Sequence, residues 1–85
     1  IQEEKIIKSI YPNPINENTY IYLNDKVGQK TIEICDINGK KITQTTTLNK
    51  KMKLYDIWPN NLTRGIYIIK ATTNNGIIEA KRICF

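Results

Sequence analysis

Residues 62–72, Leu-Thr-Arg-Gly-Ile-Tyr-Ile-Ile-Lys-Ala-Thr, constrain the fold of this chain more than any other stretch. The segment opens on a turn and becomes the most apolar strand in the sequence. Alternate side chains of a strand take opposite faces, so Ile66 and Ile68 share one face and Tyr67 and Ile69 the other. A strand apolar on both faces needs cover on both, which predicts a central place in its sheet. Gly65 permits the backbone bend at which it starts. Leu62-x-x-Gly65-x-Tyr67 is the arrangement that a tyrosine corner requires. The ring then packs in the core, and the hydroxyl bonds a main-chain group within residues 59–64.

The remaining chain reads as short strands divided by turn signals. Residues 5–10 form the first, with Ile6, Ile7 and Ile10 apolar. Tyr11-Pro12-Asn13-Pro14 forbids helix and removes ladder donors, so it predicts an extended bend leaving that strand. Residues 20–23 form the second strand and residues 24–28 a loop. Residues 31–37 form the third, with Ile32 and Ile34 on one face and Thr31, Glu33 and Cys35 on the other. Asn38-Gly39 predicts a tight type I′ hairpin turn. The fourth strand starts at Lys41, is rich in Thr and has only Ile42 and Leu48 apolar. It reads as an edge, with Lys40 and Lys41 discouraging further pairing. Residues 52–57 form the fifth, with Met52 and Leu54 facing in and Trp58 capping the core. Asn74-Asn75-Gly76 turns the sixth strand into a seventh, residues 77–85. The pattern predicts an all-β, seven-stranded antiparallel immunoglobulin-like (Greek-key) β-sandwich, with residues 1–85 as one domain.

The chemistry that such a chain can carry is narrow. There is no His, which removes the commonest general base and the commonest metal ligand. The acids, from Glu3 and Glu4 to Glu79, are dispersed, and no spacing pairs two for acid–base work. A Gly-rich phosphate loop and a nucleophile elbow are both missing. Asp36-x-Asn38-Gly39 has the opening of a calcium loop without its later ligands. Cys35 and Cys84 lie far apart and predict free thiols on strands that are not paired neighbours. The net charge is +5, but the basic residues are scattered apart from Lys40-Lys41, Lys50-Lys51 and Lys81-Arg82. A nucleic-acid binder would cluster them among exposed aromatics. No apolar run reaches membrane-spanning length. The expectation is a non-enzymatic sandwich with no metal or cofactor, no nucleic-acid partner and no membrane span. A chain that begins at Ile1, without an initiator Met, reads as a piece of something longer.

Three boxes occur in order: Tyr11-Pro12-Asn13-Pro14, then residues 32–40 with Asp36 and Gly39 at the hairpin, then Leu62-Thr63-Arg64-Gly65-Ile66-Tyr67-Ile68-Ile69. A terminal strand containing Lys81 follows. Their order and spacing resemble the C-terminal sorting domain, type A, of the type IX secretion system (the Por system of Bacteroidetes). The resemblance covers nearly the whole chain from about Ile10. It implies a seven-stranded sandwich at the end of a larger exported protein, with the parent cargo domain N-terminal to Ile1. It implies two outer-membrane partners: the type IX translocon, and a sortase-like peptidase that removes the domain and attaches the cargo to anionic lipopolysaccharide. The route is through the periplasm to the cell surface or the medium.

The mechanism this implies is recognition. The terminal strand offers main-chain groups and alternate side chains to a partner, as in strand addition. Residues Lys81, Arg82, Ile83, Cys84 and Phe85 form the segment to be read. Ile77, Ile78 and Ile83 anchor it, and Lys81, Arg82, Cys84 and Phe85 are offered, with Lys81 at the family's basic position. Two alternatives remain open. One is a structural or carbohydrate-binding sandwich appended to a secreted hydrolase, favoured by an exposed platform at Trp58 or Tyr55. The other is a retained domain of a secretion component.

Overall fold

The structure, a computed structural model, describes residues 5–85; Glu3 and Glu4 lie outside that range. Seven strands form two antiparallel sheets. β1 (Ile7–Tyr11), β2 (Tyr20–Leu23) and β5 (Lys51–Lys53) make a three-stranded sheet in the order β1-β2-β5. β3 (Lys30–Cys35), β4 (Lys41–Thr47), β6 (Ile66–Thr73) and β7 (Ile78–Cys84) make a four-stranded sheet in the order β4-β3-β6-β7. There is no α-helix among the described residues, only 3₁₀ turns at Asp25–Val27 and Leu54–Asp56.

The predicted central strand is β6, hydrogen-bonded to β3 on one side and β7 on the other. Its inward row is Tyr67, Ile69, Ala71 and Thr73, all buried. Ile32 and Ile34 extend that row on β3, and Ile83 extends it on β7. Ile7, Ile21 and Leu23 face them from the smaller sheet, so one apolar cluster joins the two layers. Each such Ile or Leu, fully buried, contributes about 1.5–3 kcal/mol, and the cluster dominates the stability. Ile66 and Ile68 take the outer face of β6, where Ile66 is exposed and Ile68 half-buried. The fourth strand is an edge, as its composition indicates.

Four local expectations are corrected. The turn after β3 is not type I′, which needs a positive φ at both central residues. Only Gly39 is left-handed, at φ +86°, and no non-glycine residue has positive φ. The Asp36 carboxylate sets the turn instead. Its Oδ1 accepts from the N–H groups of Asn38 and Lys40, both at 2.9 Å, which is the local bond that suits Asp to turns. The fifth strand is only three residues long and gives way to the 3₁₀ turn that buries Leu54. The third begins one residue early, at a fully buried Lys30. Ile77 and Ile78 do not anchor β7: they are 47% and 58% exposed, and Ile83 carries that role.

Candidate functional site

Three of the sequence boxes meet where the chain ends. The corner at the start of β6 forms as expected: Tyr67 is buried, and its hydroxyl donates to the main-chain carbonyl of Thr63. The indole of Trp58 packs edge-on to Tyr67, with centroids 5.4 Å apart, and against Phe85 at 5.1 Å. Trp58 is thus buried within this aromatic group and forms no exposed platform, and Tyr55 stands exposed on a different element. The indole Nε1–H finds no acceptor among the described residues. Gly65 and Phe85 exchange both main-chain bonds, at 3.0 and 2.8 Å. Gly65 does so at φ +155°, where a side chain would be strained. The guanidinium of Arg64 lies 5.6 Å from the Phe85 ring centroid.

The Tyr-Pro-Asn-Pro segment closes the same corner from the other sheet. Both of its X–Pro bonds are cis. The side-chain oxygen of Asn13 accepts from the N–H of Cys84 at 3.0 Å, and the N–H of Ile15 donates to the carbonyl of Cys84 at 2.8 Å. Buried Thr19 steadies the loop: its hydroxyl donates to the Pro12 carbonyl at 2.8 Å and accepts from the Asn16 N–H at 3.0 Å. The Asp36–Gly39 turn lies at this end as well, because Cys35 pairs with Ile68 near the start of β6.

The main-chain parity of β7 follows from these bonds. In an antiparallel pair, opposed residues alternate between hydrogen-bonded and non-hydrogen-bonded pairs. Gly65–Phe85 and Thr73–Ile77 are bonded pairs at the two ends of one unbroken register. Residues 79, 81 and 83 therefore bond to β6, and the N–H and C=O groups of Ile78, Ala80, Arg82 and Cys84 point away from it. Cys84 is taken by Asn13 and Ile15. The outward groups of Ile78, Ala80 and Arg82 make no hydrogen bond among the described residues. An edge with unpaired main-chain groups is a template for another strand.

The side chains of the expected segment divide sharply. Lys81 and Arg82 are exposed, and so is Cys84. Ile83 is buried in the core, and Phe85 is half-buried against Trp58. Cys35 and Cys84 are free thiols on β3 and β7, which are not paired neighbours. Burial pushes the Cys35 thiol above its ordinary value, and the Glu33 carboxylate adds to that against the opposing Lys70 ammonium. Two residues of consequence escaped the sequence reading. Glu79, in the inward register of β7, accepts at its two carboxylate oxygens from the N–H groups of Ile6 (2.7 Å) and Ile7 (3.0 Å). Its one signal was an acid in an otherwise core-facing register. Lys30 carried no signal at all. Its ammonium donates to the carbonyls of Asn24 at 3.2 Å and Asn49 at 3.1 Å, joining the loops after β2 and β4. Among the described residues no group of three or more His, Cys, Asp or Glu is placed to hold a metal ion, and no helix is long and apolar enough to cross a membrane.

No curated protein and no solved structure matches this chain. A family model does, over residues 9–84; its description is "secretion system C-terminal sorting domain".

Proposed function

The chain belongs to the family of C-terminal sorting domains of the type IX secretion system, and from that premise we propose that the outer edge of β7 is what the secretion machinery reads. Family membership implies a sorting signal, a cargo on its N-terminal side and export across the outer membrane. The reading adds a surface and a mode. A strand of the translocon adds to β7 through the main-chain groups of Ile78, Ala80 and Arg82, and Lys81 and Arg82 supply charge selectivity. The single observation that carries this is the parity of β7: its outward groups from Ile78 to Arg82 have no partner among the described residues, and the edge is closed off at Cys84. Ile83 and Phe85 hold the strand in place and are not offered to the partner.

The strand orders β1-β2-β5 and β4-β3-β6-β7 support an immunoglobulin-like Greek-key arrangement, with the segment after β1 reaching the end of β7 through Asn13 and Ile15. In this reading residues 1–85 are one domain, retained until the translocon has moved the cargo through and then removed by a sortase-like peptidase. The test is a periplasm-directed reporter fused ahead of residues 1–85 in a strain that has the secretion system. The intact fusion should reach the surface or the medium. Lys81→Ala with Arg82→Ala changes stability by no more than about 0.5 kcal/mol, as exposed charges do, and should leave a folded fusion in the periplasm. An intact fusion that is not exported refutes the domain as a sufficient signal. Equal export of both fusions refutes the role of the two side chains.

A further inference from the structure

The outer face of the three-stranded sheet differs in charge from that of the four-stranded sheet. Its register places Tyr11, Tyr20 and Lys53 in one row and Ser9, Tyr22 and Lys51 in the next, with Ile10, Ile21 and Met52 turned inward between them. None of the three strands contains an acid: their sequences are IKSIY, YIYL and KMK. The four-stranded sheet, by contrast, carries Glu33 and Glu79 within its strands. Three tyrosines share this face. Tyr11 is 70% exposed, Tyr22 37%, and Tyr20 is half-buried. The Tyr20 and Tyr22 rings lie 6.2 Å apart at 34°, and the Lys51 ammonium stands 5.5 Å from the Tyr20 centroid. A depression of about 360 Å³ opens beside them, lined by Lys8, Tyr22, Leu23, Lys50 and Lys51.

We propose that this face binds an acidic polysaccharide, with sugar rings stacked on Tyr22 and Tyr11 and carboxylates held by Lys8, Lys50 and Lys51. Three properties select that ligand. Exposed aromatic rings with an apolar face and a polar rim suit the C–H faces of a pyranose, as they suit other amphipathic partners. Three lysines line one depression, with no acid on the adjoining strands, and so complement a repeating negative charge. The volume is at the lower end of small-ligand sites, enough for one or two sugar units, so a polymer would run along the rows of the face. A peptide strand fits less well, because a sheet face offers side chains and no main-chain ladder. The edge of β7 provides the ladder, and it belongs to the other sheet.

The two surfaces are therefore separate, and the polysaccharide site stands or falls without the sorting mechanism. The experiment is amide chemical-shift mapping of the 85-residue chain with hexagalacturonate, beside neutral maltohexaose and a thymidine hexanucleotide. Hexagalacturonate should shift amides of β1, β2, β5 and Lys50, and the two other oligomers should shift them far less at equal concentration. Tyr22→Ala and Lys51→Ala should each weaken binding at least fivefold. Lys51 is exposed, so its removal leaves the fold intact and keeps the test valid if Tyr22→Ala unfolds. Lys40→Ala with Lys41→Ala, on the other sheet, should change nothing. Binding of maltohexaose as strong as that of hexagalacturonate would show that the lysines play no part. Equal binding of the hexanucleotide, or shifts spread to Lys40 and Lys41, would reduce the effect to bulk positive charge. Either result, or no binding, overturns the proposal.

Discussion

The two ends of the sandwich are closed by different physics. At the corner end, Tyr67, Trp58 and Phe85 pack ring against ring, and neutral bonds from Thr63, Gly65, Asn13 and Ile15 satisfy the main chain around the terminus. At the opposite end one cation does comparable work: buried Lys30 gathers the carbonyls of two loops beneath the turn at Thr73. Many weak, distributed contacts lose little when one is removed. A single buried ammonium with carbonyl partners has no such redundancy, since its loss strands polar groups away from water. The corner end also closes the last residues of β7 and, among the described residues, leaves the preceding edge open. The lysine end leaves β7 alone but holds the two loops that flank Leu23 and Lys50, at the rim of the depression on the other sheet.

Substitutions at the two ends should separate these modes. Lys30→Ala removes the donors and leaves a void, and should cost about 3 kcal/mol or more in chemical denaturation. Lys30→Met fills most of the space without a donor and should lie between that variant and the intact chain. A loss below about 1 kcal/mol for Lys30→Ala would mean that the loops close without the ammonium. At the corner, Tyr67→Phe deletes the hydroxyl's bond to the Thr63 carbonyl and its long contact with the Thr63 hydroxyl, keeps the ring packing, and should cost about 1 kcal/mol. A loss as large as that of Lys30→Ala would erase the contrast between the ends. The smallest effect is kinetic. In the folded chain exposed Cys84 should react first with a thiol reagent at neutral pH. Cys35, covered and held protonated by burial and Glu33, should follow slowly. Both should react at once in denaturant. Equal rates in the folded state would contradict the covered position of Cys35.

The contrast also explains what was readable in the sequence. The corner end is written in local signals: a glycine before a strand, a tyrosine two residues on, two prolines one residue apart. Each acts within a few positions, so the corner at Tyr67, a main-chain partner within residues 59–64 and the central place of β6 were all legible. The partners that join distant segments were not. Asn13 bonds Cys84 and Glu79 bonds Ile6 and Ile7 across more than seventy residues, and no periodicity encodes such pairs. Lys30 looks in sequence like any surface lysine preceding a strand, because burial of a charge depends on which loops come to lie over it. The type I′ turn failed for a related reason. Asn-Gly permits that turn, but Asp36 offered its carboxylate to the same backbone and favoured another. Trp58 was placed correctly as a core cap, and its burial against Tyr67 and Phe85 removes it from any exposed platform.

The unpaired edge of β7 is tested most directly by a change to the main chain itself. The N–H of Ala80 points away from β6 and takes no part in the sheet, so Ala80→Pro deletes an outward donor and leaves the β6–β7 ladder whole. Circular dichroism and thermal melting would establish that the variant folds. Fused to the periplasm-directed reporter, it should accumulate in the periplasm and fail to reach the surface or the medium. Export of the folded Ala80→Pro fusion at the level of the intact domain would show that the edge of β7 is not what the secretion system reads.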